Sequence, residues 1–220
     1  MSGAVVLLSG GLDSSVLLHE VRRRIGASPL YALSFNYGQK HVRELELAAE
    51  QASRAGAIHR ISDLSFFGGL VRGSALTDGA VAVPDLAALS EAQRRQPPTY
   101  VPNRNMLLLS LAAAFAESLA VRDVFYGAQK QDRYGYWDCT PDFIERINDL
   151  LALNRGQAIR VQAPFAAFSK AEIVRRGVEL KVDFSLTWSC YRGAPPACGT
   201  CPTCVERAEA FRQAGLMDPG

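Results

Sequence analysis

The apolar positions of this chain fall into two alternating kinds of run. Residues 4–8, Ala-Val-Val-Leu-Leu, are continuously apolar and end in a Ser-Gly-Gly turn, whereas Leu17, Leu18, Val21 and Ile25 recur at helical spacing within residues 14–25. A short unbroken apolar run predicts a strand buried on both faces, and a spacing of three and four predicts a helix with one apolar stripe. The succession continues with a strand over 30–35, an Ala- and Glu-rich helix over 42–55 stopped by Gly56, and a short strand over 58–61. Strands alternating with helices predict an α/β fold with a doubly wound, mainly parallel sheet, because parallel neighbours need a crossover between them.

Between residues 62 and 102 the periodicity fails. Gly68, Gly69, Gly73, Gly79, Pro84, Pro97 and Pro98 interrupt every candidate element there, so a long connection with short helical pieces is expected, of the kind that often covers a site. Regular patterning resumes with an apolar helix over 103–120, a buried strand over 123–127 and a helix over 141–153 with Pro141 in its first turn. Ser169-Lys-Ala-Glu172 has the form of a capping box and opens a helix through 180. The expected organisation is an α/β nucleotide-binding domain over 1–186, with an irregular insertion around 62–102, followed by a cysteine-rich knuckle and C-terminal helix over 187–220.

Composition changes this picture little. The chain has 220 residues, 48% hydrophobic and 21% charged, ordinary for a globular protein. Lys plus Arg number 24 against 22 Asp plus Glu, and no basic run is present, which argues against nucleic acid as a direct partner. The first apolar run is too short for a signal peptide or a membrane span, so no membrane association and a cytoplasmic location are expected. Five cysteines, an odd number, point to metal ligation rather than a disulfide framework.

Two segments carry chemistry of their own. Ser9-Gly-Gly-Leu-Asp-Ser14 joins the first strand to the first helix, where glycines let backbone N–H groups approach an anion and the helix N-terminus adds a favourable field. The loop lacks the Gly-Lys-Ser/Thr ending of a Walker loop and the spacing of a dinucleotide fingerprint. Cys190, Cys198, Cys201 and Cys204 form C-x7-C-x2-C-x2-C, the last three within Cys-Gly-Thr-Cys-Pro-Thr-Cys. Four thiolates around Gly- and Pro-bearing turns suit structural Zn²⁺; an iron–sulfur cluster is the competing ligand for the same pattern. The remaining Cys139 has Asp138 as its nearest charge in sequence, which suits a buried thiol better than an activated nucleophile.

Ser-Gly-Gly-x-Asp-Ser resembles the signature of the PP-loop ATP pyrophosphatases, which share an adenine nucleotide alpha hydrolase-like fold and cleave ATP between the α- and β-phosphates. Further blocks are similar to the 7-cyano-7-deazaguanine synthase family: Phe35-Asn-Tyr-Gly-Gln-Lys-His41 with Glu44, Val101-Pro-Asn-Arg-Asn105, residues 127–132, Tyr136 to Cys139, Ser169 to Glu172, Thr187 to Cys190, and the cysteine knuckle. The resemblance runs from about residue 5 to 211. It implies an ATP-dependent carbon–nitrogen ligase that adenylates 7-carboxy-7-deazaguanine, admits ammonia to form the amide, and dehydrates the amide to the nitrile in queuosine biosynthesis, with a bound Zn²⁺, Mg²⁺ bridging the phosphates, and a homodimer.

On that resemblance Leu8, Ser9, Gly10, Gly11, Leu12, Asp13, Ser14 and Arg104 are expected at the nucleotide. Asp13, Ser14 and Lys170 are the expected catalytic groups, and Tyr37, Gln39, His41, Asp132, Tyr136 and Asp138 are expected at the deazaguanine. Several have a plainer reading. Arg104 suits either phosphate or the substrate carboxylate, and also suits a surface position at a helix start. Lys170 suits an exposed helix residue, and Tyr37 and Tyr136 either stack on a base or fill the core. His41 and Glu44 are expected on one helix face, where the histidine is a structural group or a base; His19 and His59 are expected to be structural or exposed.

The chain departs from the family's expected Tyr-Pro-Asp-Cys-Arg at Trp137 and Thr140, after an unusually polar stretch over 129–133. This keeps open a sibling enzyme that stops at the amide or couples the carboxylate to another amine. A tRNA-modifying PP-loop enzyme and a non-catalytic nucleotide-binding knuckle protein are more distant alternatives.

Overall fold

The computed structural model describes residues 3–130, 132 and 135–220; Gln131 and Arg133 of the polar stretch lie outside the described residues. Five strands form one sheet: β1 (Ala4–Leu7), β2 (Leu30–Asn36), β3 (Ile58–Asp63), β4 (Asp123–Phe125) and β5 (Arg160–Gln162). All pairings are parallel, in the order β3-β2-β1-β4-β5. The chain leaves β1 toward β2 on one side and returns to β4 on the other. That reversal opens a crevice beyond the carboxyl ends of β1 and β4, the place where open α/β sheets bind ligands.

The helices are α1 (Leu12–Ile25), α2 (Glu44–Arg54), α3 (Ser65–Leu70), α4 (Glu91–Arg95), α5 (Arg104–Ser118), α6 (Pro141–Leu151), α7 (Lys170–Glu179) and α8 (Pro202–Ala214). Strand alternation decides which layer each residue feeds. Ala4, Val6 and Leu8 pack with α1, α2, α7 and α8, while Val5 and Leu7 pack with α5 and α6. On α5 the buried stripe Leu108, Leu109, Ala112, Ala113 and Ala116 lies against the sheet. Each fully buried leucine there stabilises the fold by about 2 kcal/mol, and the alanines let the helix backbone come close.

One close approach sets up the site. A Cβ on Gly177 would stand 2.4 Å from the Phe184 ring and 2.8 Å from Val16, so only glycine lets α7 lie against α1. The first residue of α7, Lys170, is thereby brought to the first turn of α1.

The structure corrects the sequence reading in places. Helix α1 starts at Leu12, so Asp13 and Ser14 belong to its first turn rather than to the loop. Helix α2 starts at Glu44, so His41 does not share a helix with Glu44; residues 41–43 turn into the helix, and Glu44 N–H donates to His41 O at 3.1 Å. Strand β5 was not expected, since only Val161 of its three residues is fully buried and no periodicity accumulates over that length. The interval 62–102 carries α3, a 3-10 turn at Leu86–Ala88 and α4. Among the described residues no helix is long and apolar enough to cross a membrane.

Candidate active site

At the crevice beyond β1 and β4 lies a cavity of about 300 Å³. Its floor is the β1–α1 turn. Gly10 adopts φ 84°, and a Cβ there would stand 1.9 Å from Glu44 O, so the loop passes under the start of α2 with no room for a side chain. Ser14 Oγ donates to Gly11 O at 3.2 Å, accepts from Ser9 N–H at 3.2 Å and lies 3.0 Å from Ser9 Oγ. These bonds fix both hydroxyls at the mouth of α1. No side chain caps that helix, which leaves its first N–H groups available to an anion.

Lys170 reaches over this turn. Its Nζ lies 3.5 Å from Asp13 Oδ2 and 3.3 Å from Glu206 Oε2, and Ser169 caps α7 behind it with the reciprocal Glu172 bonds. Burial works against the ammonium charge, but Asp13, Glu206 and Asp132 outweigh it and hold Lys170 well above the ordinary lysine range. Burial pushes the Asp13 carboxyl up, opposed by Lys170, and Asp13 Oδ1 is buried with no hydrogen-bond partner among the described residues. Asp132 accepts from Gln129 N–H and Nε2, each at 3.1 Å. Burial, despite Lys170, pushes its pKa up to about 6.

The other end of the cavity is aromatic. Arg104, first residue of α5, follows Asn103 in the left-handed region at φ 55°. Its guanidinium sits 5.7 Å from the Tyr37 ring centroid, donates from Nη1 to Tyr37 Oη at 3.4 Å and from Nε to Asn105 Oδ1 at 3.2 Å. Asn105 is held in turn: its N–H donates to Asp138 Oδ2 at 3.1 Å and its Nδ2 to Cys139 Sγ at 3.2 Å. Tyr136 pairs with Thr99 Oγ1 at 2.8 Å. The His41 ring lies 5.6 Å from that of Tyr191, and its Nε2 is 3.4 Å from Glu44 Oε1. Burial and then Arg104 press His41 down to about 4, and burial pushes Glu44 up to about 8, so the pair is neutral near pH 7.

Leu8, Ser9, Gly11, Leu12, Asp13, Ser14, Tyr37, His41, Arg104, Asp132, Tyr136 and Lys170 all line this one cavity. Gly10, Gln39 and Asp138 do not line it. Gln39 is 2% exposed and its amide is spent within the fold, accepting from Tyr37 N–H at 2.8 Å and donating to Phe35 O at 3.0 Å and to Glu44 Oε1 at 3.2 Å. Asp138 is 2% exposed behind Asn105. Cys139 does line it, but burial, then Asp132 and Asp138, keep the thiol protonated. His19 bonds Gln51 at 3.0 Å and His59 bonds Ser34 at 2.8 Å, both as structural groups.

A third wall comes from the cysteine segment, and sequence reasoning missed it. Trp188 N–H donates to Gly10 O at 3.0 Å, which clamps the segment onto the β1–α1 turn. Ser189, Tyr191, Pro202, Thr203 and Glu206 then line the cavity. The sulfurs of Cys190, Cys198, Cys201 and Cys204 all lie within 4.8 Å of one another. A tetrahedral metal with sulfurs at about 2.3 Å needs them roughly 3.8 Å apart, so the four-cysteine cluster fits a metal site. Cys201 is the N-cap of α8, with Pro202 behind it. The signal for Glu206 was present in the sequence as a carboxylate two residues past the last cysteine, but only the docking of α8 beside α7 carries it to Lys170.

The departures from the expected family pattern fall outside the cavity wall. Trp137 is 48% exposed and its Nε1 donates to Tyr100 Oη at 2.8 Å. Thr140 is the N-cap of α6, accepting from Phe143 N–H at 3.2 Å.

Comparison with known proteins places this arrangement in context. The family model of the queuosine biosynthesis protein QueC matches residues 3–215. The chain is 42% identical over 215 residues to a protein of Psychromonas ingrahamii named 7-cyano-7-deazaguanine synthase, covering 98% of this chain and 95% of that one. A protein of the same name from Caldicellulosiruptor bescii is 45% identical over 216 residues, again covering 98% and 95%. Among solved structures, the U34-tRNA thiolase NcsA of Methanococcus maripaludis, described with its [4Fe-4S] cluster, superposes at a TM-score of 0.52 and 13% identity, over 96% of this chain and 65% of that one. The NH3-dependent NAD synthetase of Campylobacter jejuni gives 0.50 and 16%, over 84% and 66%. At those identities the two share the fold alone.

Proposed function

This chain belongs to the QueC family of queuosine biosynthesis proteins, and we propose that it is a 7-cyano-7-deazaguanine synthase, using ATP to convert 7-carboxy-7-deazaguanine and ammonia to the nitrile. The observation that carries the reading is the two-ended cavity. One end offers an uncapped helix N-terminus, two hydroxyls and Lys170; the other offers tyrosines and a guanidinium. A nucleoside triphosphate suits the first and a planar aromatic acid the second.

In the first activation a carboxylate oxygen attacks the α-phosphorus and pyrophosphate leaves. The N–H groups at the start of α1 and the Lys170 ammonium take up the charge that grows on the departing oxygens, a role in which preorganised donors stabilise the transition state strongly. Asp13 and Glu206 hold the lysine in place for it. Ammonia then displaces AMP from the acyl adenylate, losing a proton as the amide forms. Asp132, which lines the same cavity, would accept from the N–H edge of the deazaguanine. The amide oxygen next attacks the α-phosphorus of a second ATP, releasing pyrophosphate, and loss of AMP and of both protons from nitrogen yields the nitrile. Two ATP are therefore consumed per nitrile. Tyr37 and Tyr136 supply aromatic faces for the base.

Mg²⁺, which neutralises polyphosphate charge when bound, would be held by Asp13, whose unpartnered Oδ1 fits a hard cation. Zn²⁺ is the metal proposed for Cys190, Cys198, Cys201 and Cys204, because four thiolates close a structural site and no step here is a redox step. The nitrile product is favoured over an amide-stopping or amine-coupling sibling because Trp137 and Thr140, where the chain departs from its relatives' expected pattern, do not line the cavity. The near balance of 24 basic and 22 acidic residues gives no support to a tRNA substrate.

Mass spectrometry of products from 7-carboxy-7-deazaguanine, ammonium, Mg²⁺ and ATP tests the reading, with Ser14→Ala alongside. Nitrile with two equivalents of AMP is expected, greatly reduced in the variant. Amide as the end product would replace the reading with the sibling, and no carboxylate-dependent AMP would end it.

A further inference from the structure

The two cations of the cavity differ in what surrounds them. Lys170 is already matched by Asp13 and Glu206 at 3.5 and 3.3 Å, with Asp132 nearby. Arg104 has no ion-pair partner among the described residues. Its neighbours in the cavity are a hydroxyl, an amide, aromatic rings and the Cys139 thiol. The groups close by that titrate are held neutral: burial raises Tyr37, Tyr136, Tyr191 and Cys139 and lowers His41. Two carboxyls act on it electrostatically: Asp138, which lies outside the cavity wall and is occupied by Asn105 N–H, and Glu44, which lines the wall and is raised to about 8 by burial.

A guanidinium has five N–H donors in a planar fork. Two are engaged, by Asn105 Oδ1 and Tyr37 Oη, and those two bonds fix the plane of the group. The rest of the fork belongs to a ligand. Because the cavity wall here is aromatic and otherwise uncharged, the ligand complementary to it is a flat ring bearing one planar anion. A polyphosphate finds its donors at the other end, on α1 and Lys170.

We propose that Arg104 is the residue that recognises the carboxylate of the substrate, oriented by Tyr37 and Asn105, and that it selects the acid over the amide. This rests on the synthase reading and deepens it. During the first activation the fork holds a charged carboxylate. During the second the same fork faces a neutral amide oxygen, which it binds more weakly. The enzyme therefore releases its grip on the substrate as the reaction passes its midpoint, and one pocket serves both activations without a second carboxylate-specific contact.

Equilibrium binding by calorimetry, without ATP, tests this independently of turnover. The probes are 7-carboxy-7-deazaguanine and its carboxamide, on the full chain and on Arg104→Gln, Arg104→Lys and Tyr37→Phe. Wild type is expected to prefer the acid by about tenfold to a hundredfold, the range for a charge-assisted pair. Arg104→Gln is expected to bring the acid down to the amide's affinity while leaving the amide within a few-fold. Arg104→Lys is expected to retain part of the preference, and Tyr37→Phe to lower acid affinity a few-fold with the amide unchanged. An Arg104→Gln protein that melts like wild type and still prefers the acid would overturn the assignment, as would equal losses for both ligands. If wild type binds the acid selectively yet makes no nitrile, the reaction assignment fails and the Arg104 assignment stands.

Discussion

Replacing Gly10 with alanine tests whether the phosphate loop is held by the close passage beneath α2. Two penalties arise there. A left-handed φ of 84° strains any L-residue by about 1–2 kcal/mol. A Cβ 1.9 Å from Glu44 O must also be relieved by moving backbone, since no flexible side chain can give way, and overpacking of that kind costs about 1–3 kcal/mol more. The total of roughly 2–5 kcal/mol lowers Tm by about 4–20 °C in a domain of this size. Gly56→Ala is the control. Gly56 also has positive φ, 59°, but nothing lies within 4 Å of its added Cβ, so that variant carries the strain alone and loses about 2–8 °C. Differential scanning calorimetry measures both, and carboxylate-dependent pyrophosphate release measures the site. Gly10→Ala is expected to lose activity out of proportion to its stability, because relief of the clash displaces either Ser9 to Ser14 or the Trp188 clamp on Gly10 O. Equal Tm shifts in the two variants, or wild-type activity in Gly10→Ala, would refute the steric account.

Other consequences are open to equally direct measurement. Lys170→Met leaves Asp13, Glu206 and Asp132 facing the phosphates without a cation, and kcat for pyrophosphate release is expected to fall by about 10²–10³, whereas a tenfold effect or less would place the lysine outside the reacting end. Glu44 is raised to about 8 by burial, so its protonated form stabilises the fold fully below the unfolded carboxyl range and that contribution is lost as pH rises toward 8. Glu44→Gln should consequently gain on wild type by up to about 1.4 kcal/mol per pH unit between roughly pH 5 and 8 and then level off; a pH-independent difference in urea midpoints would contradict this. Stripping metal with a chelator, or Cys201→Ser, is expected to abolish activity while far-ultraviolet circular dichroism keeps most of its helical signal, since the sheet and seven of the helices precede the cluster. Full activity in demonstrably metal-free protein would exclude a metal from shaping the cavity.

The fold was legible wherever period and punctuation agreed. Strand β1, the glycine turn and α1 are read directly from residues 4–25, and the parallel pairing follows from the alternation. Strand β5 was not legible because its three residues give no period, and only pairing with β4 defines it. At the candidate site, the Ser-Gly-Gly turn and the four cysteines stood out because their residues are close in sequence. Gln39 and Asp138 looked alike to the residues that do reach the cavity, yet the Tyr37 and Phe35 backbone and Glu44 Oε1 absorb the first, and Asn105 N–H the second. Trp188 and Tyr191 carried no signal of their own, and that of Glu206, a carboxylate just past the last cysteine, pointed to no partner, because each owes its place to docking of the cysteine segment against a loop nearly two hundred residues earlier.

That docking has a consequence for how the protein comes into being. Trp188 clamps Gly10, and Tyr191, Thr203 and Glu206 complete the wall. During synthesis the loop at residues 9–14 emerges well before the cysteine segment that walls it. Until residue 170 is made the Ser-Gly-Gly turn has no lysine over it, and once Lys170 is in place it still lacks Glu206, one of its two anchoring carboxylates. Competence for acyl activation arrives with the final stretch of chain and the closing of its sulfur cluster, so a prematurely released fragment holds the phosphate loop without the enclosure that turns it toward chemistry.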